Sequence, residues 1–529
     1  MHRRQLIRTV TAAAIAAGLA RPSVLRAASA TTLTFVPYAD LALVDPLASA
    51  LVTRNHVLMV WDTLFALDES WTPRHQMLAG HTVESDGLTW TLTLRDGLWF
   101  HDGTPVLGRD VVASLRRWAT RDPFGQALMA ATDELSAKDD KTVIFRLKHP
   151  FPLLPAALAK PTNLVPAIMP ERLANRPTEK LLNEVVGSGP FRFLPDERVS
   201  GARNVYAKFD KYVPRDGVPS FCAGPRIAHF DRVVWQTTPD PATQAAALRE
   251  GEVDWVEQPQ MDLVPSLKSD QGLKVEVLET AGLIGMLRMN QLYPPFDNPA
   301  IRRAVLRAVN QREFMTAVAG ESDGATINDH VGFFAPTSAY ASNAGMDTFS
   351  ANPDLESLKK DIIAAGYKGE KVVFMGSGDV PRITAICLVG ADLLRRLGMN
   401  VEYATLDWGT IVQRAFRQNP IDQGGWSILG TFTGGLDWDN PACSSALRGD
   451  GKTANDGWAR SPKLESLRDA WLRAPDATTQ KALAAEIQRQ AFTDVPMVPL
   501  GLYDQPAAFR ADLTGMQKGL NLFTGVRRV

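Results

Sequence analysis

The stretch Leu283-Ile284-Gly285-Met286-Leu287-Arg288-Met289-Asn290, then Pro294-Pro295-Phe296-Asp297-Asn298-Pro299 and Ala300-Ile301-Arg302-Arg303-Ala304-Val305, decides how the rest of the chain is read. Its first part is an apolar extended run, a buried strand or a crossing segment. The two prolines break that run. Asp297 or Asn298 can cap a helix, and Pro299 suits the first helical position, where an N–H would have no partner. Ile301, Val305, Ala308, Val309 and Met315 follow at helical spacing. A strand feeding a core helix is common in any α/β protein. That is the plain reading; its place near the middle of 529 residues, too many for one core, raises the alternative of a passage from one lobe to another.

Outward from that passage the composition is ordinary for a globular protein, with 45% hydrophobic and 22% charged residues and a formal net charge of -1. That balance gives no electrostatic reason to expect nucleic acid as partner. At the N-terminus Arg3-Arg4 precede Leu6-Ile7, an Ala-rich stretch from Val10 to Ala20, and Ala28-Ser29-Ala30, the small-x-small pattern of a cleavage site. This fits an export signal over 1–30 of the twin-arginine type, cut near Ala30; an ordinary secretory signal is the alternative. No later stretch has the roughly 18 uncharged apolar residues of a spanning helix, so no membrane insertion is expected and the mature chain is expected in a periplasm. Cys387 lies in an apolar run. Cys222 and Cys443 lie in loop-like sequence, where pairing is open.

After the central passage, Lys371–Met375, Pro381–Leu397 and Met399–Ala404 read as strand, helix and strand, a right-handed βαβ unit with parallel strands. Trp408–Phe416 reads as a further helix, Gly424–Leu429 as a strand, and Gly430–Pro441 as an aromatic, glycine-containing loop. Before the passage, Leu88–Arg95 alternates Thr with apolar residues, and the turn dipeptides Asp96-Gly97 and Asp102-Gly103 follow. With the helix from about Asp110 and a strand at Lys141–Leu147, this block is a small α+β unit.

Motifs for chemistry are incomplete. Gly451-Lys452-Thr453 ends like a phosphate loop, but Ala446 stands where that loop needs its first glycine. Gly376-Ser377-Gly378 lies between strand and helix, yet Pro381 stands where a dinucleotide fingerprint needs glycine. The histidines are scattered, with no i, i+4 pair to hold a metal. No catalytic residue, metal or cofactor is expected. Trp408, Trp426, Phe432 and Trp438 gather around the Gly430 loop, and aromatic walls suit binding more than bond breaking.

Taken in order, Trp90 to Pro105 with Arg109-Asp110-Val111, then Gly187-Ser188-Gly189-Pro190, Gly251-Glu252-Val253-Asp254, Met289-Asn290 through Asn298, and Leu393 to Trp408 resemble an extracytoplasmic solute-binding protein of the peptide/nickel family of ABC transporters. The resemblance covers essentially the whole mature chain. It implies an α/β fold of two lobes joined by a hinge, with an extra α+β subdomain on the first lobe. The expected division is 31–280 for lobe I with the subdomain at about 75–185, 281–495 for lobe II, and 496–529 for a C-terminal return to lobe I. It implies a monomer that captures a small molecule or peptide between the lobes and delivers it to an inner-membrane permease. An exported hydrolase, or a sensor using the same fold, are the alternatives.

By the same resemblance the ligand-binding candidates are Asp40 and Leu41 in a first-lobe loop, Met286 and Asn290 on the hinge strand, and Trp408 with Phe416 at the other end of its helix. Gly430, Thr431, Phe432, Thr433 and Asp437 in the glycine loop complete the set. In relatives an Asp of that loop holds a peptide amino terminus. Gly434 takes its place here, and Asp437 can substitute only if the loop is displaced.

Overall fold

The computed structural model describes residues 31–320, 327–451 and 457–529. The export signal, the cut near Ala30 and the Lys452-Thr453 end of the incomplete phosphate loop lie outside the described residues.

Three sheets organise the chain. The first has seven strands in the order Leu273–Glu276, Ala507–Arg510, Trp255–Val256, Thr32–Val36, Arg232–Gln236, Arg203–Lys208 and Phe191–Phe193. Thr32–Val36 runs parallel to both its neighbours. Phe35 packs at its centre against Trp235, Trp255 and Phe523, with ring centroids 4.9–5.5 Å away. The second sheet has six strands in the order Ile327–Asn328, Val498–Tyr503, Leu283–Met289, Ile428–Gly434, Lys371–Ser377 and Asn400–Leu406. The predicted βαβ unit is there, its two strands parallel from Lys371↔Asn400 to Ser377↔Leu406 and joined by the helix Pro381–Arg396. A four-stranded antiparallel sheet, Leu78–Val83, Thr89–Leu94, Thr142–Leu147 and Thr132–Ala137, carries the helix Gly108–Trp118 and forms the added α+β subdomain.

The opening stretch is an inner strand of the second sheet, which explains why Leu283–Met289 is nearly all apolar. Gly285 has a steric reason. A Cβ there would lie 3.0 Å from Met315 Cε and 3.2 Å from Phe432 Cε1. The helix that follows is broken. It starts at Pro299 with the Asn298 side chain accepting from Ala300 N, and it ends at Arg307. A second helix, Gln311–Ala319, starts where Asn310 accepts from Arg312 N and Glu313 N. Asn310 thus ends the expected continuous spacing by offering its own side chain as a cap.

Two expectations change. Gly430–Gly434, read as loop, belongs to the strand Ile428–Gly434, paired from Leu283↔Gly434 to Met289↔Ile428. Its glycines hid it: a Cβ on Gly430 would come 2.7 Å from Cys387 Sγ on the overlying helix. The chain also returns to the first sheet later than position 496. Val498–Tyr503 still pairs with the second sheet and Ala507–Arg510 with the first. The first crossing lies between Glu276 and Leu283, the second between Tyr503 and Ala507. All three cysteines are free, so the open Cys222–Cys443 pairing is not formed. Burial pushes the thiols of Cys222 and Cys443 up to about 12 and that of Cys387 to about 11. Among the described residues no helix is long and apolar enough to cross a membrane.

Candidate functional site

The lobes meet along a seam of polar side chains. Its first-lobe wall is the helix Leu51–Val60, buried along its whole length although it reads Arg54-Asn55-His56 in the middle. Burying those groups is costly unless each finds a partner; His56 meets the Tyr206 hydroxyl through Nδ1, while its Nε2 has no partner. Arg54 gives Nη1 to Glu279 Oε1 at 2.8 Å and Nη2 to Glu279 Oε2 at 3.1 Å. Asn55 accepts from Arg54 Nη2 and donates Nδ2 to Glu257 Oε1 at 2.7 Å. Glu257 also accepts from Asn521 Nδ2 at 3.0 Å and from Tyr38 N at 2.8 Å. Burial pulls the Arg54 pKa down, but Glu279 overrides it and the net shift is upward. At Glu257 burial wins over the Tyr38 N–H and Arg54, and the carboxyl is raised.

The second lobe closes on this wall through the strand Ile428–Gly434 and the turn after it. Gly434 lies so close that a Cβ would be 3.2 Å from Glu279 Oε1 and 3.6 Å from Arg54 Nη1. Gly435 donates its N–H to Gly282 O at 2.8 Å, and a Cβ there would collide with Ala281 O at 1.9 Å. Glycine at 434–435 is therefore what lets the second lobe approach the crossing strand. Asp437 accepts from Thr433 Oγ1 at 2.7 Å and, across to the subdomain segment, from Asn163 N and Nδ2 at 3.3 and 3.1 Å. Behind Asn163, the buried Lys160 ammonium bonds Asp122 and Asn163 O. Thr162 Oγ1 and Asn163 Oδ1 are buried without a partner. One continuous cluster of buried apolar side chains runs from the subdomain (Trp90, Phe145) into the second lobe (Met286, Phe374), so the lobes are in direct contact.

The candidates from sequence divide into two groups. Phe432, Thr433 and Asp437 stand at the seam; Phe432 is half-buried, its ring edge-on to Tyr503 at 5.6 Å. The others are committed elsewhere. Leu41 is buried in the first-lobe core and its carbonyl accepts from Arg198 Nη2 at 2.7 Å. Asp40 Oδ2 accepts from Gly201 N at 3.1 Å, while Oδ1 is buried without a partner. Met286, Gly430 and Thr431 lie within the second sheet, Met286 paired with Thr431. Asn290 donates Nδ2 to Trp426 O and accepts from Leu292 N, which uses its amide to shape the turn after the strand. Trp408 begins its helix half-buried against Met375, Ile411, Ala415, Trp426, Leu429 and Trp458. Phe416, at the other end, is 67% exposed.

Sequence reasoning missed Arg54, Asn55, Lys160, Asn163, Glu257 and Glu279. Only the first two carried a signal, a charged and an amide residue inside the apolar run Leu51–Val60. Among the described residues no three His, Cys, Asp or Glu side chains are grouped to hold a metal ion. The arrangement is suited to closing two walls on a solute and satisfying its polar groups from both.

Comparison with known proteins agrees with this geometry. The model of the family described as bacterial extracellular solute-binding proteins, family 5 Middle, matches residues 66–455. The chain is 37% identical over 522 residues, 98% of its length and 97% of the relative's, to the probable peptide ABC transporter periplasmic-binding protein y4tO of Sinorhizobium fredii (strain NBRC 101917 / NGR234). Among solved structures it resembles the periplasmic binding protein AgaA from A. tumefacien R10 in complex with agropinic acid, with TM-score 0.79 and 21% identity over 94% of this chain and 99% of that one. It also resembles a dipeptide binding protein from Pseudoalteromonas sp. SM9913 in complex with Met-Leu, with TM-score 0.76 and 20% identity over 94% and 100%. At these identities the two structures speak for the fold alone, a two-lobed one.

Proposed function

The chain belongs to the bacterial extracellular solute-binding proteins of family 5, and from that premise we propose that its solute is a peptide or a peptide-like small molecule. It is the periplasmic solute-binding component of an ABC importer. The observation that carries the ligand class is the kinship over nearly the full length with a protein named for peptide import. The polar seam supports it, because a peptide offers the N–H, carbonyl and charged groups that Thr162 Oγ1 and Asn163 Oδ1 lack.

In this reading lobe I comprises 31 to about 280 and the chain after Tyr503, with the subdomain at about 75–185 inserted, and lobe II the residues between. Bending falls in the two crossings, and the ligand favours closure through its better contacts with the closed state. Phe432, Thr433 and Asp437 contact the ligand, and Asp40 contributes the acceptor that its Oδ1 leaves unpaired. The protein works as a monomer without catalysing a reaction. It hands its ligand to an inner-membrane permease, and residues 1–30 direct its export through the twin-arginine route.

Calorimetric titration with a panel of di- and tripeptides, with mass spectrometry of small molecules that co-purify, tests the ligand class. Small-angle scattering with the best ligand should show a smaller radius of gyration. A panel in which no peptide binds and no peptide-like compound co-purifies overturns the reading.

A further inference from the structure

We propose that His75 and His81 form a binding site for a divalent copper ion on the first-lobe subdomain, apart from the seam between the lobes. The proposal goes beyond the solute-binding role and does not depend on it.

No helical spacing marks the two histidines in the sequence; the fold brings them together. His75 ends the short strand Pro73–His75, opposite Phe65. His81 lies in Leu78–Val83, the edge strand of the four-stranded sheet, opposite Leu92. That strand shifts register between Leu78 and Gly80, and a bulge re-aims the side chains beside it. The outcome is a separation of 2.8 Å between His75 Nε2 and His81 Nδ1. Both rings are held in place. His81 stacks on Trp90, with centroids 5.4 Å apart and planes 14° from parallel. Phe65 packs against both imidazoles, at 5.3 and 5.6 Å, and the imidazoles meet edge to face at 5.0 Å. Both histidines are half-buried, so their nitrogens are positioned by packing and still open to an ion from solvent.

The separation selects the ion. Two bonds of about 2.0 Å to nitrogens 2.8 Å apart enclose an angle of about 90°, the cis angle of square-planar copper(II). A tetrahedral zinc ion would need those nitrogens about 3.3 Å apart. Without metal, one of the two nitrogens donates to the other, according to the tautomer. On binding, the donor ring carries its proton on its other nitrogen, and each imidazole stays neutral with one N–H. The lone pairs then meet at a point about 1.4 Å off the line between the nitrogens. A ring stacked on Trp90 can make that turn within its own plane. Burial first, then His81 and Arg215, hold the pKa of His75 below its ordinary value. At pH 7 it is therefore neutral, the form that ligates. Among the described residues no third His, Cys, Asp or Glu joins the pair, so water fills the other positions and the ion is exchangeable.

The test uses the full mature protein without a histidine tag: wild type, His75→Gln and His81→Gln, each checked by circular dichroism. Calorimetric titration with copper(II), with glycine as competitor, measures affinity. Each variant should weaken binding by at least about 10-fold, because losing a ligand costs no less than losing a group that only orients one. Spin-echo resonance of bound copper should show two coupled imidazoles in wild type and fewer in either variant. Zinc should bind at least about 10-fold more weakly than copper, and copper should raise the unfolding temperature of wild type but not of H75Q. No binding of copper, a wild-type signal without two imidazoles, or an affinity unchanged in H75Q overturns the site; zinc as tight as copper overturns the square-planar assignment. Should H81Q fail to fold, H75Q and the wild-type resonance signal decide.

Discussion

Replacing Arg54 by methionine keeps most of the stem and removes the charge. In the native protein both Nη groups are spent on Glu279, at 2.8 and 3.1 Å, with Asn55 on the flank. Without the guanidinium, Glu279 becomes a carboxylate with no counter-ion in a site where its side chain is 12% exposed. Glu257, already raised by burial, loses one of the groups that hold it down while Glu279 still repels it. Breaking one side of a buried pair costs about 3–5 kcal/mol; the residual exposure of Glu279 puts the expectation for R54M at about 3 kcal/mol. Arg54→Met with Glu279→Gln leaves no orphaned charge and should recover about 1–2 kcal/mol of that loss, a coupling of the size seen for contacting residues. Urea unfolding at pH 7, followed by circular dichroism and by tryptophan fluorescence, measures both. A loss below about 1 kcal/mol in R54M, or a double variant no more stable than the single, refutes the view that the seam is held by this pair.

Three further outcomes follow from the geometry. His56 is buried with Nδ1 2.9 Å from the Tyr206 hydroxyl, and burial followed by the Arg198 charge pushes its pKa down to about 3. Its folded pKa is depressed, so the stability it contributes is present above about pH 6.5 and lost as pH falls toward 3. Between pH 7 and pH 5 that amounts to about 2 kcal/mol in urea titrations, and His56→Gln should remove that share of the pH dependence; an unchanged slope contradicts it. Gly434→Asp does not simply add a carboxylate to the seam, because its Cβ would enter at 3.2 Å from Glu279 Oε1. The variant should instead resist closure, on the order of 1–3 kcal/mol from like charges, with a larger radius of gyration that Glu279→Gln reverses. Trp408→Ala should lose about 1–3 kcal/mol of stability from its apolar cluster, and calorimetry on the folded variant shows whether it loses ligand as well.

What the sequence made legible was local. The βαβ unit from Lys371 to Leu406 declared itself because apolar spacing changes from 2 to 3.6 residues and Gly398 ends the helix. The central strand declared itself through its unbroken apolar run. Gly430–Gly434 did not, because a strand squeezed between the hinge strand and the helix above it needs small residues, and small residues read as loop. The second crossing was placed early because Pro496 and Pro499 look like punctuation, whereas Pro499 sits inside a strand opposite Met286 at a bulge. The seam was least legible of all. Arg54 meets Glu279, Asn55 meets Glu257 and Asn163 meets Asp437, pairs separated by hundreds of residues, and no local pattern announces them.

The strand Ala507–Arg510 lies inside the seven-stranded sheet, between Leu273–Glu276 and Trp255–Val256. The half of the molecule that is synthesised first is thus also the half that is finished last. A nascent chain paused anywhere before this strand holds a first lobe with two open sheet edges, each a template for pairing with another chain. The second lobe, whose strands all lie between Leu283 and Tyr503, has its full sheet available earlier. Vectorial synthesis would then complete the second lobe before the first. A truncation that removes only the residues after Tyr503 is expected to leave a protein with an intact second sheet and an aggregation-prone first.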